Sequence, residues 1–168
     1  MQPSPLHTDR LMLRHPNASD LMPYTSYCLS DRSRFVGGPF NAVQAFEKLS
    51  AMIGHWELRG FGRLVLVDRA TNRALGHVGA LQLDPVQVPE FTWTIWAGSD
   101  EGKGLATEAC VAYREYARDV LGFSRMVVHI KRGNLSSQRL AGRLGCIEVT
   151  GAPSPAWLTD CVTYALLL

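Results

Sequence analysis

The sequence predicts an α/β domain built on one mixed sheet with helices on both faces. Three observations carry this. Phe91-Thr92-Trp93-Thr94-Ile95-Trp96 alternates apolar and polar side chains, the period of a half-buried strand. Leu105, Ala109, Ala112, Tyr113, Tyr116 and Val120 then recur at helical spacing. Beyond Gly122, Arg125 to Ile130 reads as a second strand, and so long a helix between two strands lets them run parallel. No repeat, low-complexity tract or linker interrupts the 168 residues, so one domain over 1–168 is expected.

The remaining elements follow in order. Thr8 to Arg14 reads as a strand with Leu11 and Leu13 on one face. Asn17-Ala18-Ser19-Asp20 supplies N-cap side chains for a helix through Leu21, Tyr24 and Cys28. Asp31 to Phe40, with Gly37-Gly38-Pro39, is expected to be a loop. Asn41 caps a second helix whose apolar stripe reads Phe46, Leu49, Ile53 and Trp56, which leaves His55 on the surface. Gly60 to Asp68 and Leu75 to Leu81 form a hairpin about Thr71-Asn72-Arg73. Pro85 and Pro89 exclude a central strand between them. Asn134 caps a helix through Leu140, Ala141 and Leu144, which Gly145 ends. Closing strands are expected near Cys146–Thr150 and Thr159–Leu167.

Composition narrows the function classes. Hydrophobic content of 46% and charged content of 19% belong to a globular chain. A net charge of +2 is too small for nucleic acid to be the main partner. No apolar run approaches a membrane span. Met1-Gln2-Pro3-Ser4 lacks the basic start and apolar stretch of a leader, so a cytoplasmic location is expected. Cys28, Cys110, Cys146 and Cys161 are scattered, with no Cys-x-x-Cys and no paired-histidine motif. That spacing argues against a metal site and fits reduced thiols.

The most informative stretch is Ser99 to Ala109, where Gly102-Lys103-Gly104 leads a strand into a helix. Glycines let a backbone approach a ligand, and the first helical turn leaves N–H groups pointing at it, so the bound group should be a phosphate. No Ser or Thr follows the Gly-Lys pair directly, unlike a nucleotide-binding P-loop. The third glycine of the dinucleotide fingerprint is also missing. A tight strand-to-helix turn would use the same glycines.

Four passages together resemble the GNAT acetyltransferase superfamily, and within it the RimJ/RimL-type branch of ribosomal-protein N-terminal acetyltransferases. Thr8-Asp9-Arg10-Leu11-Met12-Leu13-Arg14 is similar to that branch's opening strand. Gly102 to Ala109 is similar to its pyrophosphate loop. Asn134-Leu135-Ser136-Ser137 with Arg143-Leu144-Gly145-Cys146 resembles its Asn-x-x-Ser helix and Leu-Gly-Phe ending. Asp160-Cys161-Val162-Thr163-Tyr164 resembles its last strand.

The resemblance implies a mostly antiparallel, twisted sheet of about six or seven strands with one splayed parallel pair, flanked by about four helices. It implies acetyl-CoA as donor and attack of an amine on its thioester. The main-chain amides of Gly102, Lys103, Gly104, Leu105 and Ala106, with the Thr107 hydroxyl, would hold the pyrophosphate. A main-chain amide at Trp96 or Ala97 would meet the thioester carbonyl. Asn134 would hold the pantetheine arm, and Ser137 would hydrogen-bond the leaving sulfur. Glu90 is the first candidate base, with His77 and His129 behind it; Tyr164 fits either the site or the core.

Lys103, Arg139 and Arg143 could reach phosphates or be solvated. Phe35, Phe40, Trp56 and Trp157 could line an acceptor pocket or belong to the core. The acceptor is a protein N-terminus, such as a ribosomal protein's, or a small-molecule amine, and the protein a monomer or homodimer. A different class, a non-catalytic acyl-CoA-binding module, fits the same loop. The chain departs from the family at Ser99, where Gln or Arg is usual, at Thr92, and at Cys146 in place of Phe. Asp100 and Glu101 place two carboxylates beside the expected anion.

Overall fold

Eight strands make one sheet in the computed structural model, which describes residues 4–168. Met1 to Pro3, where the sequence shows no leader pattern, lie outside the described residues. The strands are β1 (Leu6–His7), β2 (Leu11–Arg14), β3 (Arg63–Asp68), β4 (Ala74–Leu81), β5 (Glu90–Ile95), β6 (Arg125–Lys131), β7 (Ile147–Glu148) and β8 (Cys161–Leu167). Their order is β1-β2-β3-β4-β5-β6-β8-β7. The helices are α1 (Leu21–Leu29), α2 (Ala42–Arg59), α3 (Leu105–Asp119) and α4 (Leu135–Arg143).

Every neighbouring pair is antiparallel except β5 and β6, which α3 connects. That parallel pair is in register only at Glu90 and Val127. Beyond this point the strands part, giving the expected splay. The sheet exceeds the expected six or seven strands because both its edges are two-residue strands. Thr8 to Arg14 is not one strand: Thr8 N–H donates to Leu11 O at 2.9 Å and turns the chain back on itself. Residues 31–36, expected as loop, wind into a 3-10 turn.

Alternation on β3 sets the two faces. Val65 and Val67 point to the layer of α1 and α2, against Tyr24, Tyr27, Leu49 and Met52. Leu64 and Leu66 point to α3, against Ala109, Tyr113 and Ala117, and α4 adds Leu140, with its C-cap residue Leu144, on that side. Asn41 and Gln44 cap α2 reciprocally, as the sequence signal requires.

The α2 stripe is corrected by one position. Ala45, Leu49, Met52, His55 and Trp56 are buried, whereas Phe46 is 59% and Ile53 37% exposed. The large side chains at 46 and 53 pulled the sequence assignment toward the rim, and small Ala45 hid the true line. His55 is therefore buried, not on the surface. Its Nδ1 lies 2.7 Å from Phe61 O, and Gln82 N–H donates to its Nε2 at 2.9 Å. The ring is thus a neutral tautomer carrying its hydrogen on Nδ1, and burial lowers its pKa.

Candidate active site

Between the end of β5 and the start of α3 the chain makes a 3-10 turn, Gly98–Asp100, and then the Gly102-Lys103-Gly104 corner. Gly102 and Gly104 have φ of 72° and 77°, the left-handed region that a side chain resists. Among the described residues, the amides of Gly102 to Thr107 donate to no protein atom; the first helical bond runs from Glu108 N to Gly104 O. A run of free N–H groups at the start of a 15-residue helix is what a diphosphate needs, so this turn fits coenzyme A.

The carboxylates that threatened repulsion here are paired with cations. Asp100 is buried and takes two hydrogen bonds from Arg73, both 2.7 Å, with Lys103 Nζ at 3.5 Å. The Arg73 bonds hold its carboxyl below the usual range. Glu101 accepts from Arg32 at 2.6 Å, and the same guanidinium donates to Ile95 O and Trp96 O at 2.9 and 3.0 Å. Lys103, offered as a phosphate contact, lies against Asp100. Arg139 and Arg143 are exposed on α4.

A third pair was not foreseen. Arg10 donates through its main chain and Nε to Glu108 at 2.9 and 2.7 Å, and through a terminal nitrogen to Lys103 O at 2.8 Å. The Thr8 hydroxyl donates to Glu108 at 2.5 Å. The β1–β2 corner therefore clasps the first turn of α3. Burial works against the Glu108 carboxylate, but these donors outweigh it and lower its pKa. Both passages were visible in the sequence; their contact, across some hundred residues, was not.

The other groups lie on β5, just after it, and at the start of α4 after β6. Glu90 opens β5 on the α1/α2 face, half-buried, with no hydrogen bond or ion pair to any described residue. Burial raises its pKa to about 8, against a partly opposing charge at Arg63. Of the two amides expected near the thioester, that of Trp96 is engaged with Leu75 O at 2.8 Å, because β4 still runs beside it. The Ala97 amide has no partner among the described residues. Asn134 Oδ1 caps α4, accepting from Ser137 N at 3.3 Å and the Ser136 hydroxyl at 3.1 Å, while its amide nitrogen is uncommitted. The half-buried Ser137 hydroxyl is likewise without a described partner.

His77 is buried and accepts from Trp96 Nε1 at 3.0 Å; burial pushes its pKa well down. His129 lies 3.0 Å from the Thr163 hydroxyl, with Trp157 edge-on at 6.3 Å. Tyr164 packs against the α3/α4 core. Of the aromatic set, Phe35 approaches β6 near Gly133 and Trp157 sits over His129. Trp56 is core, bonded to Arg63 O at 2.9 Å, and Phe40 packs beside α2. Thr92 donates to Gly79 O at 3.2 Å, and Cys146 packs on the core, consistent with a packing change. No group of His, Cys, Asp and Glu among the described residues could hold a metal ion. No described helix is long and apolar enough to cross a membrane.

Residues 10–147 match the family described as acetyltransferase (GNAT) domain. An acetyltransferase from Agrobacterium tumefaciens is 27% identical, with 98% of this chain and 95% of that chain covered and a TM-score of 0.88. A GNAT-family acetyltransferase from Bordetella pertussis is 26% identical, covering 97% and 98%, with a TM-score of 0.78. RimL, a ribosomal L7/L12 α-N-protein acetyltransferase solved with coenzyme A, shares the fold at 16% identity, 98% coverage of each chain and a TM-score of 0.77. No curated protein matches the sequence. With 138 consecutive residues inside that match (10 to 147), the chain belongs to the GNAT acetyltransferases, enzymes that take their acetyl group from acetyl-CoA.

Proposed function

We propose that this protein transfers the acetyl group of acetyl-CoA to a primary amine by direct attack in a ternary complex. The amine is that of a protein N-terminus, such as a ribosomal protein's, or of a small molecule. The chain acts as one N-acetyltransferase domain over residues 1–168, in the cytoplasm, as a monomer or homodimer. The observation that carries the proposal is the presence of two features at the two ends of β5: a turn of unpartnered amides at 102–107 beyond its end, and an unpartnered, half-buried carboxyl at Glu90 where it begins.

Each residue then has a defined task. The amides of Gly102, Lys103, Gly104, Leu105 and Ala106, with Thr107, hold the diphosphate. The free amide nitrogen of Asn134 holds the pantetheine arm. Acetyl-CoA, when bound, would supply the thioester, with coenzyme A as the leaving thiol. Glu90 takes the proton that the acceptor ammonium must lose, and a pKa of about 8 suits a base working near neutrality. The Ala97 N–H is the donor available to charge developing on the acetyl oxygen. One N–C bond forms and one C–S bond breaks; the second proton of the attacking nitrogen passes to the departing sulfur, which the Ser137 hydroxyl hydrogen-bonds and whose ordinary pKa of about 8.5 demands little acid.

Free-thiol release from acetyl-CoA, followed with a panel of amines and N-terminal peptides, tests this. Release with at least one acceptor, and its loss in Glu90→Gln, is the expected result. Tight coenzyme A binding with no release above background for any acceptor would instead identify a non-catalytic acyl-CoA-binding module.

A further inference from the structure

Arg63 differs from the other arginines around the site. Arg10, Arg32 and Arg73 each pair with a carboxylate within 2.7 Å. Arg63, half-buried at the start of β3, has no ion pair and no side-chain hydrogen bond to any described residue. A guanidinium withdrawn from water without a partner is unfavourable and calls for one. It is not sealed off: among the described residues, the sole buried side-chain polar atom without a partner is Nε2 of His15. The Arg63 nitrogens therefore keep a route to the outside.

Register places Arg63 toward the candidate base. Arg63 pairs with Gly79, and Gly79 pairs with Thr92 on β5. Arg63 shares the α1/α2 face with Val65 and Val67, whereas Phe91 points to α3, so Glu90 and Thr92 lie on the Arg63 face. The intervening residue is glycine, and no side chain on β4 stands between the guanidinium and β5 at that level. Arg63 and Thr92 are two strands apart, about 10 Å of sheet, and Glu90 lies two residues from Thr92 on the same face, level with Leu81. Glu90 does not neutralise Arg63: no ion pair or hydrogen bond joins the two side chains. His77, on the same face, is held neutral by burial and by the Arg63 charge.

We infer that the acceptor amine carries a carboxylate, and that Arg63 receives that carboxylate while the amine faces Glu90. This rests on the acetyl-transfer reading above. Two sources share the chemistry: a free amino acid, with its own α-carboxylate, and a peptide N-terminus with an acidic side chain close by. A guanidinium fork suits either, since it binds a carboxylate in bidentate fashion.

The test compares free amino acids with their methyl esters, and peptides having Asp or Ala at the second position, by thiol release. The free acid is expected to exceed its ester in kcat/KM by about tenfold or more if the source is an amino acid. Asp peptides are expected to exceed Ala peptides similarly if the source is a peptide. In either case Arg63→Gln is expected to abolish the ratio without changing the KM for acetyl-CoA, and Arg63→Lys to keep part of it. Thiol release with no carboxylate preference in either arm of the wild type overturns this inference alone and requires no variant to fold. No release with any amine overturns the acetyl-transfer reading beneath it.

Discussion

Glu90→Gln separates the proposed base from a solvated strand-end carboxylate without reference to any substrate. Its carboxyl is raised from 4.5 to about 8, chiefly by burial, with Arg63 opposing. A folded-state pKa above the unfolded value means that the folded protein keeps a proton between about pH 4.5 and 8 that the unfolded chain has released. Stability contributed by this group is therefore full below pH 4.5, falls as pH rises through that window, and is flat above about 8. Each unit of separation is worth about 1.4 kcal/mol, and solvent contact at a half-buried carboxyl reduces the total to about 2–4 kcal/mol. The assay is urea unfolding followed by tryptophan fluorescence at pH 5, 6, 7 and 8, in wild type and Glu90→Gln. Taking the difference between the two proteins cancels every other titration. That difference should move against the wild type as pH rises; a constant difference from pH 5 to 8 would refute the argument. In turnover, the same variant should lose about 10²–10⁴ in kcat/KM for the amine, as a general base does.

Other expectations follow from the geometry of the turn and the core. Arg10→Ala removes the clasp on Glu108 and Lys103 O, and should raise the KM for acetyl-CoA about tenfold with kcat nearly unchanged; steady-state kinetics with varied acetyl-CoA checks this, and a fall in kcat alone would refute it. Gly104→Ala puts a side chain at φ 77° and should cost about 1–2 kcal/mol in urea unfolding, with weaker coenzyme A binding by calorimetry. His55→Leu strands the Gln82 N–H and Phe61 O, and should destabilise by about 1–3 kcal/mol in the same unfolding assay.

What the sequence made legible was local. The strand–glycine–helix junction and the N-caps at Asn41 and Asn134 depend on neighbours within a few residues, and the structure has each in place. The same holds for the closing glycine after α4. What it left illegible depends on contacts between distant segments. The Arg10–Glu108 clasp joins residues 98 apart, and the Arg73–Asp100 pair joins residues 27 apart. Neither spacing has a periodic signature. No local pattern around Trp96 reveals that Leu75 O claims its amide. The burial of His55 is illegible for a related reason: which face of an amphipathic helix is buried is decided by the sheet beneath it, and a stripe of two equal choices is settled only by packing.

The charge balance of the turn bears on how a chain without the usual Gln or Arg at Ser99 would hold a diphosphate on the proposed reading. Asp100, Glu101 and Glu108 bring three carboxylates to the mouth of α3, and on sequence alone they oppose a diphosphate. Each is met by its own arginine, Arg73, Arg32 and Arg10, and Lys103 adds a fourth cation. Three negative charges against four positive ones leave the turn with a surplus of one cation. Pairing also fixes where the carboxylates point: Asp100 is drawn toward the β3–β4 turn, Glu101 toward the 3-10 turn at 31–36, and Glu108 toward the β1–β2 corner. With the carboxylates tied to three other segments, the amides of residues 102–107 have no acceptor among the described residues. The acids beside the loop are thus tied to three separate segments, and on the proposed reading their arginines take the part of the Gln or Arg usual at Ser99 by neutralising charge beside the diphosphate.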